Sequence, residues 1–214
     1  MKNILRNYLK KFNKNYQADF LLKNEFKYFK NSKKILDLGC GKGDFLKIAP
    51  HRIIGIDTNK RSILSCRKQK LSAFFGNVTK LHFKANSFDG VHASHIIEHL
   101  YPADAYKMLN EVGRVLKKDG IFVLSTPLLW KGFYDDFTHV KPYNPESIIR
   151  YLVNDGSQKT LPDIAPRFKK IDLSFRFRPL PLPGKIGHIV SSYLYRYGMH
   201  SYTRDAYTLV LKKI

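Results

Sequence analysis

The chain has 214 residues, 43% of them hydrophobic, which is enough for one folded domain with a sizeable core. Its two cysteines, Cys40 and Cys66, are too few for a disulfide framework or a cysteine-based metal cluster, and no metal site is predicted. Because no apolar run reaches the ~18 to 20 residues that cross a bilayer, and the N-terminus lacks an apolar signal core, we expect a cytoplasmic protein.

The formal net charge of +21 is concentrated in the two flanks of the chain. Residues 1–34 contain ten Lys/Arg and two acids, and residues 159–214 contain eleven Lys/Arg and three acids. A solvated lysine-rich surface accounts for this charge as well as an anionic partner does. The anionic partners to consider are nucleic acid, an acidic or phosphorylated glycan, and the face of a membrane in peripheral contact. The pattern does not indicate an oligomeric state.

Hydrophobic periodicity predicts an α/β protein. Apolar residues at helical spacing between Ile4 and Phe29 predict one or two amphipathic helices in a basic segment, residues 1–32. The alternation that follows predicts a parallel sheet covered on both faces. Strands are expected near residues 34–38, 53–57, 73–76, 88–93 and 120–126, and helices near residues 44–49, 59–69 and 103–116.

The pattern changes after Pro127. Residues 128–143 are aromatic and loop-like, and residues 145–153 are expected to form a helix. Two final strands are expected at residues 167–177 and 203–211. Between them lies the extended, proline-rich stretch Pro179–Gly184, which cannot be helical.

A glycine-rich turn follows the first strand. Gly39, Gly41 and Gly43 alternate there, and glycine permits both unusual backbone dihedrals and close approach to a ligand. Asp57 ends the next apolar run, where an acid can accept hydrogen bonds from two ribose hydroxyls. A dinucleotide fingerprint would need glycine where Asp44 stands, and no phosphate loop of the Walker type occurs. The pattern therefore predicts a site for a nucleoside that carries no pyrophosphate.

Five motifs occur in order over about residues 33–127. Together they resemble the class I S-adenosylmethionine-dependent methyltransferases, and most closely the group called methyltransferase type 11. The resemblance implies a Rossmann-like, mainly parallel seven-stranded sheet with helices on both faces and an antiparallel last strand. The motifs are the Asp37–Gly43 turn, Asp57, Phe88-Asp89-Gly90-Val91, Glu98-His99-Leu100 and Val115-Leu116-Lys117-Lys118-Asp119-Gly120.

The resemblance also implies one methyltransferase domain over residues 1–214, with residues 33–127 as the cofactor-binding core and residues 128–214 on the substrate side. The cofactor would be S-adenosylmethionine, with its methionine portion along the glycine turn and its ribose at Asp57. Asn77 stands where the family usually has an acid that meets the adenine amino group, and its carbonyl oxygen can still accept. The residues assigned to the cofactor are Asp37, Gly39, Cys40, Gly41, Gly43, Asp57, Thr58, Asn77, Val78 and Ser94.

Methyl transfer depends mainly on alignment, and a hydroxyl acceptor also benefits from a general base. His139, in the loop after the fifth strand, is the first choice, with Asp136 orienting its imidazole. Their D-x-T-H-V-x-P stretch looks like one found in small bacterial methyltransferases associated with surface-glycan synthesis. The alternative is that both residues only fold the loop. His95 is the competing catalytic residue, whereas His92 and His99 are expected to be structural.

Three functions follow. The first is O-methylation of a small-molecule or glycan-type acceptor. Because the flanks of the chain are basic, this acceptor could carry a negative charge. The second is methylation of RNA ribose, favoured by the same flanks. Methylation of nucleic-acid bases fits poorly, because residues 92–95 lack the amino-methylation motif and neither cysteine is placed as a nucleophile. The third is a cofactor-binding protein without catalysis.

Overall fold

The structure is a computed structural model that describes residues 19–130, 132–153, 160–164, 166–177, 189–190, 193 and 204–214. The predictions for residues 4–16 and for Pro179–Gly184 lie outside these residues. The division into residues 1–32, 33–127 and 128–214 stays a prediction. Within the described ranges, no helix is both long enough and apolar enough to cross a membrane.

Seven strands form one sheet in the order β3-β2-β1-β4-β5-β7-β6. β7 is antiparallel to both of its neighbours, and the other neighbouring strands are parallel. The predicted sheet is thereby confirmed. The chain order reverses between β1 and β4, and such a reversal opens a crevice at the carboxyl ends of the strands. The strands are β1 (Ile35–Leu38), β2 (Ile53–Asp57), β3 (Ala73–Phe75), β4 (Phe88–Ser94), β5 (Leu116–Pro127), β6 (Phe168–Phe177) and β7 (Arg204–Lys213).

Four longer α-helices accompany the sheet in the described part of the chain, and residues 189–190 and 193 are helical as well. The helix predicted at residues 44–49 is wrong, because only a 3-10 turn forms there, at Leu46–Ile48. Pro50 follows so closely that too few residues remain to nucleate an α-helix. The helices are α1 (residues 19–26, continued by a 3-10 turn at Lys27–Phe29), α2 (Lys60–Lys68), α3 (Pro102–Val115) and α4 (Pro145–Leu152).

Two apolar clusters cover the two faces of the sheet. The larger cluster packs α3 and α4 against one face, with Met108 and Ile148 among its buried side chains. The smaller cluster packs α2 and the end of the N-terminal helical segment against the other face, with Phe29 and Ile63 buried there. Because α1 enters through this second cluster, it is held against the end of the sheet where the crevice opens.

We expect Gly90→Ala to lower the free energy of unfolding by about 1 to 3 kcal/mol, the usual cost of overpacking a core. A Cβ atom at Gly90 would lie 2.5 Å from Cδ1 of Phe29, which is fully buried. Urea unfolding measures the loss. Gly76→Ala is the matched control, since its Cβ atom would come no closer than 3.7 Å to Ile56. Equal losses in the two variants would contradict the packing of Phe29 on β4.

Candidate functional site

The three glycines of the turn after β1 all adopt the left-handed conformation, with φ of +70° at Gly39, +50° at Gly41 and +81° at Gly43. Their surroundings differ. A Cβ atom at Gly39 would lie 2.9 Å from Ile96, and one at Gly43 would lie 2.8 Å from Leu71. At Gly41, no described atom lies within 4 Å of the Cβ position. Packing therefore requires the outer two glycines, while Gly41 faces the open space that a ligand can enter.

Asp57 fixes the shape of this turn. Its Oδ2 accepts a hydrogen bond from the Gly41 amide at 2.9 Å, and its Oδ1 accepts from the Asn59 amide at 2.7 Å. The amides of Gly39 and Cys40 both donate to the Ile56 carbonyl at 2.9 Å. The ends of β1 and β2 are thus one hydrogen-bonded unit, and Asp57 remains half-buried at the mouth of the crevice.

The Cys40 side chain belongs to the core. It is 7% exposed, and its Cβ atom lies 2.6 Å from where a Cβ atom of Gly55 would be. Burial, with Asp37 nearby, raises the pKa of its thiol well above the ordinary range. Of the predicted cofactor-binding residues, Cys40 can therefore offer only its backbone to a cofactor.

The remaining cofactor candidates lie near the carboxyl ends of β2, β3 and β4. Thr58 is exposed, Val78 is buried and Ser94 is half-buried at the end of β4. Asn77 is exposed, but its Oδ1 accepts hydrogen bonds from the amide and hydroxyl of Thr79, both at 2.9 Å. The carbonyl oxygen predicted to meet adenine thus already accepts two hydrogen bonds within a local turn, so a ligand would be met by the side-chain NH₂ group of Asn77.

Asp37 is 3% exposed and lies in a chain of buried polar groups. Its Oδ1 is 2.7 Å from Nδ1 of His92, and Nε2 of His92 is 3.0 Å from Oε2 of Glu25 in α1. Glu25 Oε1 then accepts from the Ser125 hydroxyl at 2.6 Å. His92 is the partnered core histidine that the sequence predicts. No role for Glu25 was predicted from the sequence. The signal that could have found it is that Glu25 is one of only two acids in the basic segment 1–34.

Opposite charges hold the buried groups Asp37, His92 and Glu25 together. Burial disfavours a charged His92, but its hydrogen bonds to Asp37 and Glu25 outweigh burial and raise the pKa of His92 to about 9. Burial likewise disfavours a charged Glu25, yet His92 and then Arg176 lower its pKa to about 2. For Asp37 burial prevails over His92, and the pKa stays above its ordinary value. The ion pair of His92 with Glu25 therefore ties α1 to the sheet.

His95 follows β4 with a left-handed backbone, φ +55°, which is rare for residues other than glycine. Its Nδ1 lies 3.1 Å from Oε1 of Glu98, a fully buried carboxylate whose other oxygen accepts from the Thr126 hydroxyl at 3.0 Å. The His95 side chain is 51% exposed, and its Nε2 lies 3.4 Å from Nη2 of Arg176. Because a guanidinium only donates, this nitrogen carries the lone pair of the ring.

Asp136 does not orient His139. Its Oδ2 lies 3.9 Å from Nε2 of His139, too far for a hydrogen bond. Its Oδ1 instead accepts from the amide and hydroxyl of Thr138, at 2.9 and 2.6 Å. Nδ1 of His139 lies 2.6 Å from the Phe133 carbonyl oxygen. Asp136 therefore folds the loop, as in the alternative given above. The hydrogen bond from His139 to Asp136 that the sequence suggested is not formed.

A cleft of about 430 Å³ lies between α1 and the strands β6 and β7. Arg176 lines it, and its Nη2 donates to the Ser125 hydroxyl at 3.1 Å. The Nε atom of Arg176 is buried and has no hydrogen-bond partner among the described residues. Arg176 was missed by the sequence because it lies far along the chain from β4, in a strand whose register only the sheet defines.

Comparison with known proteins agrees with this geometry. Residues 36–124 match the family model for the methyltransferase domain of type 11. A probable S-adenosylmethionine-dependent methyltransferase of Mycolicibacterium smegmatis is 32% identical over 98 residues, which cover 44% of this chain and 37% of the relative. A carboxy-S-adenosyl-L-methionine synthase of Nautilia profundicola is 31% identical over 129 residues, which cover 56% of this chain and 53% of the relative.

The fold has solved counterparts. A SAM-dependent methyltransferase from Archaeoglobus fulgidus superposes with a TM-score of 0.67 at 21% identity, covering 92% of this chain and 93% of that one. The chain spans about half the length, or less, of the curated relatives that it matches. Residues 36–124 are therefore a domain of the class I S-adenosylmethionine-dependent methyltransferase family. The family predicted from the sequence is confirmed.

We expect Gly41→Ala to weaken binding of S-adenosylmethionine about tenfold or more, equivalent to about 1.4 kcal/mol or more. Its new Cβ atom would enter the space that the ligand needs, while stability should fall by only the roughly 1 to 2 kcal/mol of a left-handed L-residue. Titration calorimetry and urea unfolding measure the two effects. Gly43→Ala is the contrast, because its Cβ atom meets Leu71 and should cost mainly stability. Unchanged affinity in Gly41→Ala would contradict the assignment.

We expect the stability that His92 contributes to be lost at alkaline pH. The folded pKa of about 9 lies above the ordinary 6.5, so this stability is complete below about 6.5 and disappears as pH rises through 9. Glu25, with a pKa of about 2, adds stability that is lost only toward strong acid. Between pH about 6 and about 10, wild type should lose up to about 3 kcal/mol more than His92→Gln in urea unfolding. Parallel pH profiles would contradict a charged His92.

Proposed function

We propose that this protein transfers the methyl group of S-adenosylmethionine to a hydroxyl of a small-molecule or glycan-type acceptor. The observation that carries the proposal is the pair of His95 and Glu98 at the end of β4, beside the glycine turn. The buried carboxylate lies 3.1 Å from Nδ1 of His95, so the lone pair of the ring is at Nε2 of this half-exposed side chain, where an acceptor hydroxyl would replace the long 3.4 Å contact with Arg176. The name of the Mycolicibacterium relative supports methyl transfer. The name of the Nautilia relative supports use of the same cofactor class.

The proposed chemistry asks little of the protein beyond alignment and one proton transfer. The sulfonium of the cofactor is already activated, so the acceptor oxygen displaces the sulfur as the C–O bond forms and the C–S bond breaks. S-adenosylhomocysteine leaves with the bonding electron pair on sulfur. Nε2 of His95 accepts the hydroxyl proton, and Glu98 stabilises the resulting imidazolium. Thr126, which donates to Glu98 at 3.0 Å, keeps that carboxylate in place.

Arg176 supports an acceptor with an anionic group. Its guanidinium lies beside the proposed base and lines the cleft of about 430 Å³. A guanidinium in this cleft can pair with a carboxylate or a phosphate, and its buried Nε is a donor that has no hydrogen-bond partner within the described residues. An acceptor anchored there would bring a neighbouring hydroxyl to His95. We therefore favour acidic or phosphorylated sugars and similar small acids.

A turnover screen tests the acceptor class. The full chain is incubated with radiolabelled S-adenosylmethionine and with neutral sugars, uronic acids, sugar phosphates, lipids or RNA. Label should enter an acidic or phosphorylated sugar as an ether, which mild base does not release, whereas a methyl ester is released. Transfer to RNA alone would overturn the glycan assignment and favour ribose methylation. S-adenosylmethionine binding that is absent, or unchanged in Asp57→Ala, would overturn the cofactor assignment itself.

With an acceptor in hand, we expect His95→Gln to lower kcat by about 100-fold or more while leaving cofactor affinity unchanged, because a general base contributes about 10²- to 10⁴-fold. Arg176→Gln should raise KM for the acidic acceptor and leave KM for its neutral analogue unchanged. His51→Gln is the control, because His51 is exposed and is not part of the proposed site. Full turnover in His95→Gln would remove the proposed base and return that role to His139.

A further inference from the structure

A second cluster lies next to His95 and shares only Glu98 with the chemistry above. It consists of Glu98, His99 and His139, and one ligand atom of each lies within 4.8 Å of the others. Two separate segments supply these residues, namely the turn after β4 and the loop after β5. The amides of Val140 and Lys141 join the segments by donating to the Glu98 carbonyl at 2.8 and 3.2 Å. The cluster is therefore held by the backbone.

Hydrogen bonds determine which nitrogen of each imidazole carries its proton. Nδ1 of His139 faces the Phe133 carbonyl oxygen at 2.6 Å, and a carbonyl only accepts, so Nδ1 donates and Nε2 keeps a lone pair. Nδ1 of His99 faces both the carbonyl oxygen of Thr138, at 3.1 Å, and its hydroxyl oxygen, at 3.0 Å. That hydroxyl donates its own proton to Asp136, so it accepts from His99.

Both rings thus offer Nε2 as a ligand, with Nδ1 anchored on a backbone carbonyl. This is the outer arrangement that orients histidine ligands in metal sites. The two ring centroids are 4.9 Å apart, and both side chains are half-buried. Each Nε2 therefore has a lone pair with which it can coordinate a cation.

Carboxylates complete the donor set. Glu98 is fully buried, and each of its oxygens receives one hydrogen bond, from His95 or from Thr126, which leaves each oxygen a lone pair. The half-exposed carboxylate of Asp136 lies 3.9 Å from Nε2 of His139 and can supply a further oxygen. Two imidazole nitrogens with one or two carboxylates suit Zn²⁺, Fe²⁺ or Mn²⁺, whereas Mg²⁺ and Ca²⁺ prefer oxygen ligands throughout.

We propose that Glu98, His99 and His139 bind a divalent transition-metal ion, with Asp136 or water completing its coordination. The ion would share the Glu98 carboxylate with His95, and so it would lie beside the acceptor side of the crevice. There it would polarise an oxygen of the acceptor. That catalytic role rests on the proposed function, but binding of the metal does not. The sequence hides the site because its ligands come from two loops that only the sheet brings together.

The test measures metal binding without cofactor or acceptor. The full chain, without an affinity tag and treated with a chelator, is titrated with Zn²⁺ by calorimetry, and Co²⁺ is added to record its visible absorption bands. Wild type should bind one equivalent of Zn²⁺ and give the Co²⁺ bands of a site with nitrogen ligands. His99→Ala and His139→Ala should each lower Zn²⁺ affinity more than about 100-fold, since even outer partners of metal ligands contribute about 10- to 100-fold.

His51→Ala is the matched control, because this exposed histidine lies outside the cluster. It should bind Zn²⁺ as wild type does. Circular dichroism and S-adenosylmethionine binding verify that each variant is folded. If a histidine variant is unfolded, Glu98→Gln provides the same comparison, because it removes the charge of a proposed ligand and keeps the size of the side chain. Zn²⁺ binding that is absent from folded wild type, or equal in His99→Ala and wild type, would overturn the site while leaving methyl transfer untouched.

Discussion

The arrangement of the crevice depends on one buried interaction, the placement of His92 between Asp37 and Glu25. A histidine and two carboxylates could not remain in this apolar interior without one another, because each buried charge needs an opposite partner. Their contacts join β4 to β1 on one side and to α1 on the other. Asp37 lies two residues before Gly39, so the same interaction that fastens α1 also positions the start of the cofactor loop.

The carboxyl edge of the sheet divides into two chemical regions. Around β1 and β2, backbone amides and the Asp57 carboxylate form a rigid turn with open space at Gly41. Around β4 and β5, ionisable side chains dominate, and Glu98 is central to them. Its oxygens meet His95 and Thr126, and its backbone carbonyl holds the loop that carries His139. One buried carboxylate thus connects the proposed base with the proposed metal site, while a rigid backbone serves the cofactor.

The tertiary structure separates one half-buried basic residue, Arg176, from the many exposed lysines. Most lysines of the described residues are exposed and solvated, as a high net charge alone would suggest. Arg176 differs because it is half-buried beside His95 and Ser125, in a cleft that α1 helps to form. A cation in such a place selects a ligand far more sharply than a charged surface does, since desolvation strengthens each of its interactions.

Much of the fold and the cofactor loop could be inferred from local sequence. Apolar runs and glycine spacing are properties of neighbouring residues, so they identified the strands, the turn at Gly39 to Gly43 and the acid Asp57. The exception was residues 44–49, where a short segment before Pro50 could not complete a helix. Side-chain partners were a different matter. That Cys40 turns into the core, that Asp136 bonds Thr138 rather than His139, and that Glu25 and Arg176 converge on the crevice depend on contacts between distant segments. Such contacts are set by the register of the sheet and by the packing of α1, which no local pattern encodes.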